Sequence, residues 1–226
     1  MRWGEIAARA RVRTPPTPPA VPTPEAPTDW FRRADESPDA EFYRAPRLVH
    51  HIDEGAVAAV TDLYRAHVPA GGAVVDLMSS WVSHLPPETD YARAAGLGMN
   101  AEELSANPRL TEWTVQDLNA YPPLPWGDAS FDAVLCCVSV QYLTRPVEVF
   151  AEVGRVLRPG APFVVTFSNR CFPTKAVAAW RALDDAGHVA LVRRYLEGAG
   201  RFDEPDVSVH RPALGDPLFG VVARRT

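Results

Sequence analysis

The stretch AVVDLMSSWVSHLPPETDYARAAGLGMN, residues 73–100, opens like one half of a nucleotide-binding unit and then departs from it. Val74 and Val75 lead into Asp76, and a second short apolar segment ends in Gly98, Met99 and Asn100. Two such segments in succession read as neighbouring parallel strands of a doubly wound sheet. Where a glycine-rich turn is expected, the chain has LMSSWVSH. Pro86 and Pro87 then limit any helix in the crossover to about two turns, because proline breaks the helical ladder.

Working outward, HHIDEGAVAAVTDLYRAHVPAGG precedes the first strand. Asp53 is placed to cap a helix whose stripe is Val57, Val60, Leu63 and Tyr64, and Pro69 with Gly71 and Gly72 ends it. Downstream follow a strand near Trp113 to Val115, the apolar run FDAVLCCV, a helix RPVEVFAEVGRVLRPG, a strand PFVVTFS and a helix from about Thr174 to Glu197. DVSVH and LFGVVARR close the chain as two short strands. Strands alternating with helices, then a strand pair without a long crossover, predict a mainly parallel sheet with an antiparallel edge hairpin.

The first 28 residues differ in kind. MRWGEIAARARVR is arginine-rich, and TPPTPPAVPTPEAPT is too dense in proline for a helix or a ladder. They are expected to form a disordered extension, with one domain over residues 29–226 and order beginning near Trp30. The segment lacks the serines and the apolar stretch of a targeting peptide.

The chain has 226 residues, 46% of them apolar and 23% charged, which suits one globular domain that needs no disulfides. Three cysteines cannot all pair, and Cys136 and Cys137 lie inside an apolar run. Buried reduced thiols, and hence a cytoplasmic protein, are expected. A net charge of −5 argues against nucleic acid as a partner, and no apolar run is long enough to span a membrane.

In an open sheet of this kind ligands sit at the carboxyl ends of the strands, where the order reverses. Those ends carry Asp76 to Ser80, Gly98 to Asn100, Gln116 to Asn119, Ser139 to Tyr142, and Ser168 to Cys171. Small, polar and amide residues directly after apolar runs suit a ligand-facing rim.

The segment LPWGDASFDAVLCCVSVQYLTRPVEVFAEVGRVLRPGAPFVVTFS resembles the corresponding region of the S-adenosylmethionine-dependent methyltransferases. The likeness is dense over residues 117 to 168 and follows the family order over about residues 45 to 225. It implies a Rossmann-like three-layer α/β sandwich with a seven-stranded sheet, S-adenosyl-L-methionine as cofactor, and methyl transfer to a small molecule. It also implies that Asp117 accepts from the adenine amino group beside the Leu118 N–H. Asp76, Leu77 and Ser139 fall near the cofactor, as do Gly98, Met99 and Asn100.

Two departures stand out. Serines replace the glycines of the first turn, and Gly98 stands where the family has an acid for the ribose hydroxyls. Ser79 and Ser80 are expected to compensate as hydroxyl donors to the cofactor carboxylate, with Trp81 or His84 bordering the pocket. Asn100 and Glu102 are the candidates to replace the missing acid.

Methyl transfer is an in-line displacement that requires positioning and dryness more than a triad or a metal. A base helps a hydroxyl or amine acceptor, and His50 or His51 is the natural one. FYRAPRLVHHID is read either as a lid carrying Tyr43, Arg47 and these histidines or as a lead-in whose aromatics pack on the sheet. Tyr142, Asn169 and Arg170 complete the candidate catalytic set; Arg170 suits an anionic substrate group or a surface ion pair with Asp184 or Asp185. No metal spacing is present. The rival readings are a catalytically inactive binding protein on the same scaffold and a nicotinamide-dependent oxidoreductase, which lacks its glycine fingerprint here.

Overall fold

The computed structural model describes residues 28–226. The expected proline-rich extension therefore lies almost wholly outside the described residues. Seven strands form one sheet in the order β3-β2-β1-β4-β5-β7-β6. They are β1 (Ala73–Leu77), β2 (Arg93–Gly98), β3 (Glu112–Val115), β4 (Ala133–Cys137), β5 (Pro162–Phe167), β6 (Asp206–His210) and β7 (Leu218–Arg224). The first five are parallel, and β7 runs antiparallel to both β5 and β6. The strand order reverses between β1 and β4, which puts the crevice where residues 76–80 and 138–142 emerge.

The helices are α1 (Asp39–Phe42), α2 (Glu54–His67), α3 (Ala101–Ala106), α4 (Pro146–Val156), α5 (Ala178–Ala182) and α6 (Asp185–Ala199). Asp53 caps α2 as its position predicts, its Oδ1 accepting from Ala56 N at 2.8 Å. One face of the sheet packs on α4 and α6 through Val149, Phe150, Val153, Leu191 and Tyr195. The other packs on α2 through Ala56, Val60 and Tyr64. Helices on both faces make the three-layer sandwich, and buried apolar runs such as β4 and β5 are what a sheet covered on both sides requires.

Two local expectations are corrected. No helix forms between β1 and β2, because the prolines and the route of the turn leave residues 78–92 irregular. The helix expected over 174–197 is two helices, since the Asp184 carboxylate accepts from Gly187 N at 2.8 Å and starts α6 afresh.

Before α2 the chain makes a 3-10 turn (Thr28–Phe31) and α1, then crosses the carboxyl edge of the sheet as a strap over residues 43–52. A buried charge cluster anchors its start. Lys175 Nζ, fully buried, donates to Ser37 O at 2.7 Å and lies 3.2 Å from Asp39 Oδ1, which also pairs with Arg33 at 2.6 Å. Burial opposes the charge on Asp39, but hydrogen bonds from Arg33 and Asn119 hold its carboxyl below the usual range.

Candidate functional site

The strap, the strand ends and the loops after β5 and β6 enclose a cavity of about 580 Å³, within the usual range for small-molecule sites. Of the residues singled out from sequence, His50, His51, Asp76, Ser79, Ser80, Gly98, Met99, Asn100, Asp117, Leu118, Ser139, Tyr142 and Arg170 all line it. Two do not. Leu77 turns into the core because alternate residues of a strand face opposite sides, and Asn169 is exposed outside the cavity. Trp81 and His84 border it as expected, and Tyr43 and Arg47 of the segment before α2 line it as well.

The unusual turn and the missing acid prove to be one feature. Met78 takes the left-handed backbone conformation (φ 55°) that a glycine would otherwise supply. The chain then runs back along β2, with Ser79 N donating to Leu97 O at 2.8 Å. A Cβ on residue 98 would collide with the Ser79 carbonyl oxygen, so Gly98 leaves room for the turn and no side chain fits there. Val138, directly after β4, is also left-handed (φ 43°), which is strained for a β-branched residue. Both strained residues line the cavity, where such conformations concentrate.

Both serine hydroxyls have acceptors within the protein. Ser79 Oγ donates to Asp76 Oδ2 at 2.6 Å, and Ser80 Oγ donates to Glu103 Oε2 at 2.6 Å. Asp76 is buried at the base of the cavity; burial pushes its pKa up to about 6, against the pull of Ser79 and Ser83. Asn100 is also committed: its Oδ1 caps α3 by accepting from Glu102 N and Glu103 N, and its Nδ2 donates to Tyr43 O and Arg44 O. Glu102 is exposed outside the cavity.

The acid that does reach the cavity from this side is Glu103, which sequence reading missed. It is 8% exposed, and its Oε1 accepts from Arg47 N at 2.7 Å. Its signal in the sequence was only its place one turn into a helix capped by Asn100. Asp39, Phe172 and Asp216 were missed as well, because each comes from a segment distant in sequence.

On the adenine side expected from the resemblance, Asp117 Oδ1 accepts from Asn119 N at 2.8 Å and Ala120 N at 3.3 Å. Asp117 Oδ2 and the Leu118 N–H have no hydrogen-bond partner among the described residues. One acceptor and one donor thus stand side by side at the cavity wall. At the other end Tyr142, 7% exposed, accepts from Phe172 N through its hydroxyl at 2.8 Å and stacks on the Phe172 ring at 5.8 Å. Burial pushes its pKa up to about 12, so it stays a neutral phenol.

His51 meets Phe172 edge-on at 5.4 Å, while His50 stacks on Trp81 at 5.1 Å and meets the edge of His84. Burial lowers the pKa of His51, with Arg47 and His50 adding to the shift against Glu103. His84 falls to about 4, mainly by burial and further by the two neighbouring histidines. Arg170 Nε donates to Asp216 Oδ1 at 2.8 Å, not to Asp184 or Asp185, because the β6–β7 loop folds over the start of α2. There Asp216 Oδ2 accepts from Asp53 N, and Asp53 Oδ2 from Asp216 N. Among the described residues no His, Cys, Asp and Glu side chains gather as a metal site, and all three cysteines are free thiols.

The comparisons with known proteins bear on this arrangement. Residues 87–165 match the model of a methyltransferase domain. The malonyl-[acyl-carrier protein] O-methyltransferase of Hahella chejuensis is 27% identical over 165 residues, covering 69% of this chain and 58% of that protein. The chain spans between 13% and 58% of the length of the curated relatives it matches. Among solved structures, the [4+2]-cyclase SpnF shares the fold at a TM-score of 0.57 and 16% identity, over 82% of this chain and 91% of that one. An S-adenosylmethionine-dependent methyltransferase from Mesorhizobium loti does so at 0.51 and 18%, over 73% and 96%. Domain match and strand order together make the chain similar to the S-adenosylmethionine-dependent methyltransferases.

Proposed function

We propose that the protein transfers a methyl group from S-adenosyl-L-methionine to a small molecule in the cytoplasm. The observation that carries the reading is the free acceptor and donor of Asp117 and Leu118 at the end of β3, in a cavity bounded by the β1 and β4 ends. That donor set fits the edge of an adenine ring. Glu103, held by Ser80 and by Arg47 N, fits the ribose hydroxyls in place of the acid that Gly98 excludes. Asp76 and Ser139 fit the amino-acid end.

When bound, the cofactor supplies an electrophilic methyl on a sulfonium that leaves as a neutral thioether. The chain's own part is to hold the acceptor in line, exclude water with the strap, and take up the acceptor's proton. His51 suits that last role, being neutral near pH 7 and unbonded at its ring nitrogens among the described residues. His50 is packed between Trp81 and His84 and suits a wall. The name of the Hahella relative supports oxygen as the acceptor atom.

The test is passage of label from methyl-labelled cofactor into the small-molecule fraction of a metabolite extract. The reading predicts transfer by the wild type and a loss of about 10²-fold with His51→Ala, the usual scale of a positioned base. Cofactor binding without transfer to any fraction favours the inactive-scaffold alternative.

A further inference from the structure

The strap brings one cation into the cavity without an acid to neutralise it. Arg47 Cζ lies 4.6 Å from the Phe42 ring centroid, 5.4 Å from Phe172 and 5.7 Å from Tyr43. Its guanidinium donates to two neutral acceptors, Phe42 O at 2.8 Å and Ala45 O at 3.4 Å. It makes no ion pair among the described residues, whereas Arg170, the other arginine of the cavity, is paired with Asp216.

Neither nearby acid pairs with the guanidinium among the described residues. Glu103 takes the backbone N–H of Arg47 and the hydroxyl of Ser80. Asp39 is held by Arg33, Lys175 and Asn119. Three aromatic rings orient the guanidinium, but a quadrupole does not cancel a full charge. A planar fork fixed in this way is suited to a carboxylate, and partial desolvation strengthens that contact.

Position decides which part of the reaction it serves. The backbone of residue 47 is tied to α3, yet the side chain reaches across to Phe172 in the loop after β5. Phe172 is the ring on which Tyr142 stacks and which His51 meets edge-on. The guanidinium thus shares its wall with the aromatic group after β4 and β5.

We propose that Arg47 binds a carboxylate of the methyl acceptor, so that the substrate is a small organic acid whose anionic group docks among Phe42, Tyr43 and Phe172 while its nucleophile lies toward His51. The assignment rests on the methyltransferase reading for the word acceptor, and on the geometry alone for the anion.

Benzoate and benzamide, equal in shape and different in charge, test it by titration calorimetry on the full chain, free and with S-adenosylhomocysteine. The wild type is expected to prefer benzoate at least about tenfold, the scale of one charge-assisted hydrogen bond. Arg47→Met is expected to abolish the preference and leave S-adenosylhomocysteine affinity unchanged, and Arg47→Lys to restore part of it. Arg47→Gln gives the same reading if the methionine variant does not fold.

Equal affinity for the two probes in the wild type, binding of neither, or a preference that survives Arg47→Met overturns the proposal. So does a selective loss of S-adenosylhomocysteine affinity in Arg47→Met, which places the arginine on the cofactor's own carboxylate. Failure of the wild type to bind S-adenosylhomocysteine counts against the methyltransferase reading, while the probe comparison on the free protein still decides the role of Arg47.

Discussion

Gly98 and Ser79 are coupled: the backbone of the serine lies where a side chain on the glycine would stand. Returning an acid to this position is therefore expected to harm the fold before it helps a ligand. Gly98→Asp should cost about 1–3 kcal/mol or more, the scale of overpacking in a closed site, read as a lower midpoint in urea unfolding. A variant as stable as wild type with tighter cofactor binding would show that the turn yields easily.

Asp76 makes a second prediction at this scale. Its folded pKa of about 6 lies above the ordinary value, so the folded state binds the proton more tightly than the unfolded one. Its stabilising contribution is complete below about pH 4 and is lost as pH rises through 6, by on the order of 3 kcal/mol for a shift of two units. Asp76→Asn removes that titration. The melting temperature of the variant relative to wild type should rise between pH 4 and pH 7 and level off above it; a constant difference means that Asp76 does not titrate in this range.

Asp76 and Asp117 were legible in the sequence because each directly follows a strand of recognisable order. Glu103 was not, since its reach depends on how α3 is capped and on where Ser80 lies. The acceptors of the Ser79 and Ser80 hydroxyls, Asp76 and Glu103, are set by tertiary contacts that spacing does not carry.

Among elements, the strap over residues 43–52 is fastened in part by the altered turn. Trp81 Nε1 donates to Val49 O at 3.1 Å, Asn100 Nδ2 to Tyr43 O and Arg44 O, and Arg47 N to Glu103. Residues in the altered turn and just after Gly98 thus fasten the lid. Each bond should contribute about 1 kcal/mol, so Trp81→Phe is expected to speed hydrogen exchange of strap amides about fivefold and leave β1 and β4 unchanged. Exchange unaltered in the strap would mean that packing alone holds it. From sequence the strap had two readings, and only the long-range bonds separate them. The division of α5 from α6 was hidden for a related reason, since Asp184 caps only once the chain has turned at Leu183.

For the molecule as a whole, the sheet was readable from the alternation of strands and helices, because buried parallel strands have to be apolar on both faces. The expected domain edge at the amino end rests on composition alone. Described structure starts with the turn at Thr28–Phe31, and Ala178 N donates to Arg32 O at 2.8 Å. Removing residues 1–27 is therefore expected to shift the melting temperature by no more than about 2–4 °C, the equivalent of 1 kcal/mol in a domain of this size; a larger fall would show that the proline-rich segment contributes to the fold.

The central claim is that this altered site still holds S-adenosylmethionine through the β3 end. Titration calorimetry with S-adenosylhomocysteine, on wild type and Asp117→Ala, tests it most directly. Saturable binding by the wild type is expected, weakened at least about fivefold in the variant by loss of a hydrogen bond of about 1 kcal/mol or more. No heat with S-adenosylhomocysteine, and binding of NADH in its place, would contradict it.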